Sequence, residues 1–340
     1  MFLTTRCFSS TVLLLFALFS TASHAITRDS HPALGTFIDN LSIKYNFETA
    51  ELEKLFSQAT IRQDIIRAMA RPAEKKPWYK YRPIFVTQQR IEGGVNFWKK
   101  HHKTLARAER EYGVAAEVIV AIIGVETRYG KHTGRYRVID SLSTLAFAYP
   151  PRARFFTSEL EQFIIMARET KLDPLSLKGS YAGAMGQPQF ISSSYRNYAV
   201  DFDGDNLSDI WRSPADAIGS VANYFKKHGW RSGQPVAENV ELKDIAPEAY
   251  SQYLGEGLKP IHKVAAFRNL GIRLPESYQN DDAARLIQLE VPGGYEYWIG
   301  LQNFYAITRY NHSALYAMAV HQLSRKIRER YMEMLEMADG

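Results

Sequence analysis

Eight consecutive residues, Val118-Ile-Val-Ala-Ile-Ile-Gly-Val125, carry no polar side chain, and the run ends on a carboxylate, Glu126. A segment that is apolar on every side cannot face water along its length. As a helix it becomes the central helix of a domain, with other elements packed around it. The run reads as a helix over 115–129 with Gly130 as its stop, and the middle of the chain, about 111–230, reads as the core. On that helix Glu126 shares a face with Ile119, Ile122 and Ile123, which stand seven, four and three positions before it. A carboxylate there must find a partner, stay protonated or look into a cleft.

Two readings of Glu126 follow, and its position alone leaves both open. It can be a structural carboxylate paired with Arg128, Arg152 or Arg154. It can also be a general acid, kept protonated near neutral pH by its apolar wall and able to donate to a leaving group.

Helical periodicity dominates the rest of the chain, over 34–45, 48–59, 62–72, 87–112, 140–147, 156–170 and 313–336. The 87–112 segment carries a weak Gly93-Gly94 pair. Ser213-Pro214-Ala215-Asp216 reads as a helix start, with Ser213 capping and Asp216 reaching back, and it opens a helix over 216–228. Between 232 and 300 the pattern changes to short alternating runs such as Val240-Glu241-Leu242 and Leu286–Val291, separated by glycine and proline as at Pro292-Gly293-Gly294. The expected fold is mainly α (α+β). It comprises an N-terminal helical domain (26–110) completed by the C-terminal helix (301–340), a central core (111–230) and a small β-rich domain (231–300).

Residues 1–25 have the layout of a secretory signal: Arg6, an apolar stretch from Val12 to Phe19, and a Ser23-His24-Ala25 cleavage site. The single cysteine, Cys7, lies ahead of that stretch, so the mature chain is expected to have no disulfide and no lipoprotein cysteine. The expectation is a soluble periplasmic protein cleaved near Ala25. The full chain has a formal charge of +6, and Arg6 is the only charged residue among the first 25, so the mature charge is +5. That mild excess suits an acidic partner or simple solubility and does not by itself point to nucleic acid.

A second stretch, Gly179-Ser-Tyr-Ala-Gly-Ala-Met-Gly-Gln-Pro-Gln-Phe190, is dense in small residues that let backbone approach closely. It lacks the Lys-Ser/Thr ending of a phosphate loop. Close helix packing accounts for it as well as ligand binding does, with Gln189 and backbone carbonyls reading amide-bearing sugars and Tyr181 and Phe190 as apolar platforms.

Together with Gly124-Val-Glu-Thr-Arg-Tyr-Gly130, Asp216–Phe225, His228-Gly229-Trp230 and Phe304–His312, this stretch resembles the lytic murein transglycosylase B family, in order and over about 34–325. The resemblance implies a lysozyme-like catalytic core. It implies cleavage of the β-1,4 bond between N-acetylmuramic acid and N-acetylglucosamine in peptidoglycan, with closure to a 1,6-anhydro sugar. Glu126 would serve as acid and then base, and the substrate's acetamido group would stabilise the intermediate. No enzymic nucleophile is then needed, and no second acid shares a motif with Glu126. Asp140, the nearest downstream acid, is read as a helix cap.

By position, the resemblance implies that Ser180 and Gln189 hold substrate near Glu126 and that Tyr224 lies close to the carboxyl. Tyr81, Phe190, Tyr305 and Tyr310 would line sugar subsites. Where the family has two adjacent arginines, this chain has Pro151-Arg152-Ala153-Arg154. Arg152 matches the second of the pair, as a candidate for the stem peptide or sugar carboxylate. The expected partner is the glycan strand, not nucleic acid, and the chain is expected to act as a monomer without a cofactor for chemistry. A lysozyme-like hydrolase and an inactive glycan-binding scaffold are the rival readings.

Asp201-Phe-Asp-Gly-Asp-Asn-Leu-Ser-Asp-Ile210 has carboxylates at positions 1, 3, 5 and 9 of a calcium-type loop, but Asn206 stands in the usual glycine place and Arg212 where glutamate belongs. The resemblance implies a modified loop whose Ca2+ ligands are Asp201, Asp203, Asp205, the Leu207 carbonyl and Asp216. A solvated Asx turn is the alternative.

Overall fold

The apolar run forms a helix enclosed by other helices. In the computed structural model, which describes residues 26–71, 76–255 and 257–339, Ala116–Thr127 are helical and Val118–Val125 are all buried. Isoleucine and valine are mediocre helix formers, so tertiary burial rather than propensity holds this segment in shape. Ahead of it lie α1 (Pro32–Tyr45), α2 (Thr49–Phe56), α3 (Gln63–Ala70), α4 (Trp78–Phe85) and α5 (Gln88–Tyr112), which makes the apolar run α6. After it come α7 (Val138–Ala148), α8 (Ala153–Thr170), α9 (Ser192–Tyr198), α10 (Pro214–Lys227), α11 (Pro247–Tyr250), α12 (Val264–Asn269), α13 (Gln302–Tyr310) and α14 (Ala314–Asp339). Helices α5, α10 and α14 pack directly on α6.

Helix α6 stops at Thr127, two residues short of the sequence expectation, because Arg128, Tyr129 and Gly130 are all left-handed, with φ of 50°, 61° and 81°. Two of these carry side chains, so the turn is strained and must be held by its surroundings. The Tyr129 ring supplies the hold. A Cβ on Gly124 would come within 2.5 Å of its hydroxyl, and one on Gly93 within 2.7 Å of its ring. The hydroxyl donates to the Arg90 carbonyl at 2.6 Å. The glycine pair that reads as a weakness of α5 is the notch that receives this ring.

Strands β1 (Tyr136–Arg137) and β2 (Lys178–Gly179) form a small antiparallel pair that leads straight into Ser180. Strands β3 (Ala237–Val240), β4 (His262–Lys263), β5 (Ala283–Val291) and β6 (Gly294–Gly300) form a sheet of order β3-β6-β5-β4. Its central hairpin turns at Pro292-Gly293, where Val291 pairs with Gly294 and Gly293 has φ 82°. Proline presets the first turn position and glycine accepts the left-handed second. Val240, Val264, Phe267, Leu286 and Ile299 build an apolar cluster of this region's own.

Several local expectations need correction. Helix α4 contains Pro83, which masked it, and α9 and α13 were not expected. The first alternating run ends at Val240 as a strand. Helix α10 starts at Pro214, and Ser213 caps it by accepting from the Asp216 N–H at 3.2 Å. Asp216 does not reach back to Ser213; its carboxylate accepts from the Phe202 and Asp209 N–H groups, both at 2.7 Å. Asp140 is no cap either. It is buried as the third residue of α7, where it accepts from the Thr60 N–H at 3.0 Å and pairs with Arg137 at 2.7 Å, tying α7 to the segment before α3. The expected signal segment 1–25, with Cys7, lies outside the described residues. Among the described residues no helix is long and apolar enough to cross a membrane.

Candidate active site

Glu126 sits in the last turn of α6, on the face of Ile119, Ile122 and Ile123, each of them fully buried. As a residue Glu126 is half-buried. The Tyr316 hydroxyl, from the first turn of α14, donates to its Oε1 at 2.5 Å. Burial pushes its pKa up from 4.5 to about 7, against the opposing pull of the Tyr316 hydrogen bond and then of the Arg90 charge. Burial is the largest effect, so the acid is poised between protonated and ionised near neutral pH.

The structural ion pair is not formed. Among the described residues no arginine bridges Glu126, and the cation whose charge bears on it is Arg90, not Arg128, Arg152 or Arg154. Arg90 is itself buried and donates to the Gly124 carbonyl at 2.5 Å, which aims it at the backbone of α6 and not at the carboxylate. Arg90 and Tyr316 are the two functional neighbours that sequence reasoning missed. Tyr316 lies 190 positions away on a helix that reads as ordinary amphipathic structure, and no local pattern distinguishes it.

The expected subsite residues fall into two groups. Tyr81 and Tyr310 are near enough for the Glu126 charge to raise their pKa, after burial. Tyr310 donates to the Pro188 carbonyl at 2.6 Å, which ties the end of α13 to the glycine-rich stretch. Tyr224 lies one ring further back, with its centroid 4.7 Å from that of Tyr310 and its hydroxyl on the Arg309 carbonyl at 2.6 Å. Phe190 needs correction as a platform: it is 2% exposed and packs 5.9 Å from Tyr310 and 5.8 Å from Tyr224. It backs the tyrosines and offers no open face. Tyr305 is half-buried with the Arg309 guanidinium 6.0 Å from its ring. Arg152 is exposed, 4.4 Å over the Phe155 ring, and no contact joins it to Glu126.

Ser180 and Gln189 are held by the turns of their own stretch. Ser180 Oγ accepts from the Ala184 N–H at 3.0 Å, which leaves its own proton to donate. Gln189, at φ 52°, donates its amide to the Gly186 carbonyl at 2.9 Å and the Thr133 carbonyl at 3.2 Å, which leaves Oε1 as an acceptor. Thr127, next to Glu126, donates to the Gln187 carbonyl at 2.9 Å and so fixes this stretch against the end of α6.

The acidic loop brings four carboxylates together. Asp201, Asp203, Asp205 and Asp216 each offer an oxygen, and these lie within 4.8 Å of one another. Asp216 is fully buried, and burial, then the charges of Asp203 and Asp201, raise its pKa to about 6 despite two backbone donors. Asp201 is also held within the loop, accepting from Gly204 and Asn206 N–H at 2.7 and 2.8 Å. The Leu207 carbonyl accepts from the Asp209 N–H at 3.0 Å and keeps a second lone pair.

Residues 29–325 match the transglycosylase SLT domain family. The chain belongs to that family. Membrane-bound lytic murein transglycosylase B of Escherichia coli (strain K12) is 45% identical over 308 residues, 88% of this chain and 83% of that protein. The crystal structure of soluble lytic transglycosylase SltB1 from Pseudomonas aeruginosa matches with a TM-score of 0.83 and 51% identity, over 88% of this chain and 99% of that one. Escherichia coli lytic transglycosylase Slt35 in complex with calcium matches with a TM-score of 0.82 and 42% identity, over 91% and 97% of the two chains. The family's fold is lysozyme-like and mainly α, and the chain is an enzyme of the lytic transglycosylase class.

Proposed function

We propose that this enzyme cleaves the MurNAc-β-1,4-GlcNAc bond of peptidoglycan without water and leaves a 1,6-anhydromuramyl end. Glu126 is the single catalytic group. The observation that carries this reading is a buried acid with pKa about 7 whose interacting ionisable groups, among the described residues, are Tyr316, Arg90, Tyr81 and Tyr310 and include no carboxylate. Among the described residues a two-carboxylate glycosidase mechanism finds no second member at this site, whereas a substrate-assisted one needs none.

In the first step protonated Glu126 gives its proton to the glycosidic oxygen as the C1–O bond breaks. The muramyl acetamido oxygen shares the positive charge at C1. In the second step the Glu126 carboxylate removes the proton of the C6 hydroxyl while O6 bonds to C1, and the acid is restored. A group that ionises near pH 7 serves both steps. Tyr316 steadies the carboxylate between them by its hydrogen bond. Ser180, Gln189, Tyr81 and Tyr310 position the sugars, Tyr305 and Arg152 are candidates for outer contacts, and the buried Tyr224 and Phe190 support Tyr310 from behind.

Asp201, Asp203, Asp205, the Leu207 carbonyl and Asp216 suit a Ca2+ ion, which would relieve the repulsion among four crowded carboxylates and fix the loop that leads into α10. The calcium complex of the related Slt35 supports that choice. The same reading divides the mature chain into helical, core and β-rich domains at about 110, 230 and 300. It places the protein in the periplasm after cleavage near Ala25. Anhydromuropeptide release from purified sacculi tests the activity, and Glu126→Gln must abolish it.

A further inference from the structure

We infer that a basic cavity beside the left-handed turn is a binding site for the acidic stem peptide of the glycan strand, an inference that rests on the activity proposed above. The cavity has a volume of about 440 Å³, which falls in the size range of ligand sites. Lys100, Lys131 and Arg212 line it with His101, and no carboxylate does. The three cations are exposed, and among the described residues none has an acidic side-chain partner. In a protein where arginines and lysines elsewhere pair freely with acids, three unpaired cations on one concavity make an attractive field for anions.

The cavity is also built rather than incidental. Helix α5 breaks its helical geometry at His101 (φ −113°, ψ 21°), with no proline or glycine at that point to cause it. The opposite wall is the strained turn: Gly130 and Lys131 follow two left-handed side-chain-bearing residues, held by the Tyr129 ring in its glycine notch. A third wall is Trp211 with Arg212. Their N–H groups both bond Asp209 Oδ1, at 3.0 and 2.9 Å, and the Trp211 indole donates to the Lys178 carbonyl at 2.9 Å. Aromatic walls with a cationic rim suit a peptide whose carboxylates are spaced along short aliphatic stems.

Position links the cavity to the proposed reaction. Gly130 donates to Thr127 Oγ at 3.0 Å, and Thr127 adjoins Glu126. Gln187, which also lines the cavity, is held by Thr127 through its carbonyl. The cavity wall thus adjoins the end of α6 that carries Glu126, and the inferred stem peptide extends to it from the strand being cleaved. None of the three cations takes part in the chemistry at Glu126, so the site governs which strands are engaged and not the bond-breaking itself.

The test compares intact sacculi with glycan strands stripped of stem peptides by an amidase, using the full mature protein. In the Glu126→Gln background, binding to intact material should be about tenfold tighter than to stripped strands at low salt, the scale of three exposed charge pairs, and the gap should close as salt rises. The combined variant Lys100→Gln, Lys131→Gln, Arg212→Gln should bind both materials alike and melt as the parent does. With Glu126 intact, that variant should release product from stripped strands at the parent rate and from intact sacculi about tenfold more slowly at limiting substrate. The inference is overturned if the parent shows no preference for intact material, if the variant keeps the preference, or if the variant weakens both materials equally. Failure of the parent to cleave either material would instead overturn the activity on which the inference rests.

Discussion

Replacing Glu126 with glutamine separates the cost of the buried acid from its use. The carboxyl has its pKa raised from 4.5 to about 7 by burial. A raised carboxyl pKa means that the folded state holds its proton more tightly than the unfolded chain does. Below pH 4.5 both states are protonated and nothing is lost. Between 4.5 and about 7 the unfolded chain ionises first, so stability falls, and above about 7 the loss is complete. Taken whole the shift is worth about 3 kcal/mol, and the residual exposure of Glu126 reduces that to about 2 kcal/mol. Glutamine carries no charge and keeps an oxygen for the Tyr316 hydroxyl. Glu126→Gln should therefore match the parent's thermal midpoint near pH 4 and exceed it by about 4 °C at pH 8. Its rate of glycan cleavage should fall at least about 100-fold at every pH. Differential scanning calorimetry across that pH range, with turnover on the same preparation, is the assay. An offset independent of pH, or a variant less stable at pH 8 than the parent, would refute the account of Glu126 as a desolvated acid.

Tyr316→Phe removes a donor that favours the carboxylate, so the Glu126 pKa should rise by about one more unit and the alkaline limb of the pH–rate profile should move up with it, alongside a rate loss of about tenfold; an unmoved limb would discount the hydrogen bond. In the parent, cleavage should decline as pH passes about 7, because the acid needed for the first step is then ionised. Chelation should lower the thermal midpoint and added Ca2+ should restore it, while Asp203→Ala should respond much less; a midpoint indifferent to chelator in protein loaded at the start would leave the loop as a turn. Gly124→Ala drives a methyl into the Tyr129 hydroxyl at 2.5 Å and should cost about 1–3 kcal/mol, read as a lower denaturation midpoint.

The sequence speaks clearly where one residue's neighbours are close in the chain, and falls silent where they are not. The central position of α6 follows from a run apolar on all faces, which admits one environment. Its carboxylate stands out against that background. The end of α6 is harder, because the Tyr129 ring that sets it is received by Gly93 and Gly94 of α5 as well as by Gly124 of α6 itself. Helix α4 was hidden by Pro83, which local propensity counts against a helix although the fold tolerates it in the second turn. Tyr316 and Arg90 are legible only in three dimensions, since each approaches Glu126 from a separate helix. Phe190 shows the converse. Its type and motif suit a sugar platform, and burial behind Tyr310 and Tyr224 is a matter of packing that no motif records.

The reaction itself is tested most directly by digesting sacculi in heavy-oxygen water and weighing the muropeptides by mass spectrometry. A transglycosylase closes O6 onto C1, so the released ends should be 1,6-anhydro sugars carrying no label. Reducing muramyl ends that contain one heavy oxygen would show water attacking C1 and would contradict the role of Glu126 as the base for the C6 hydroxyl.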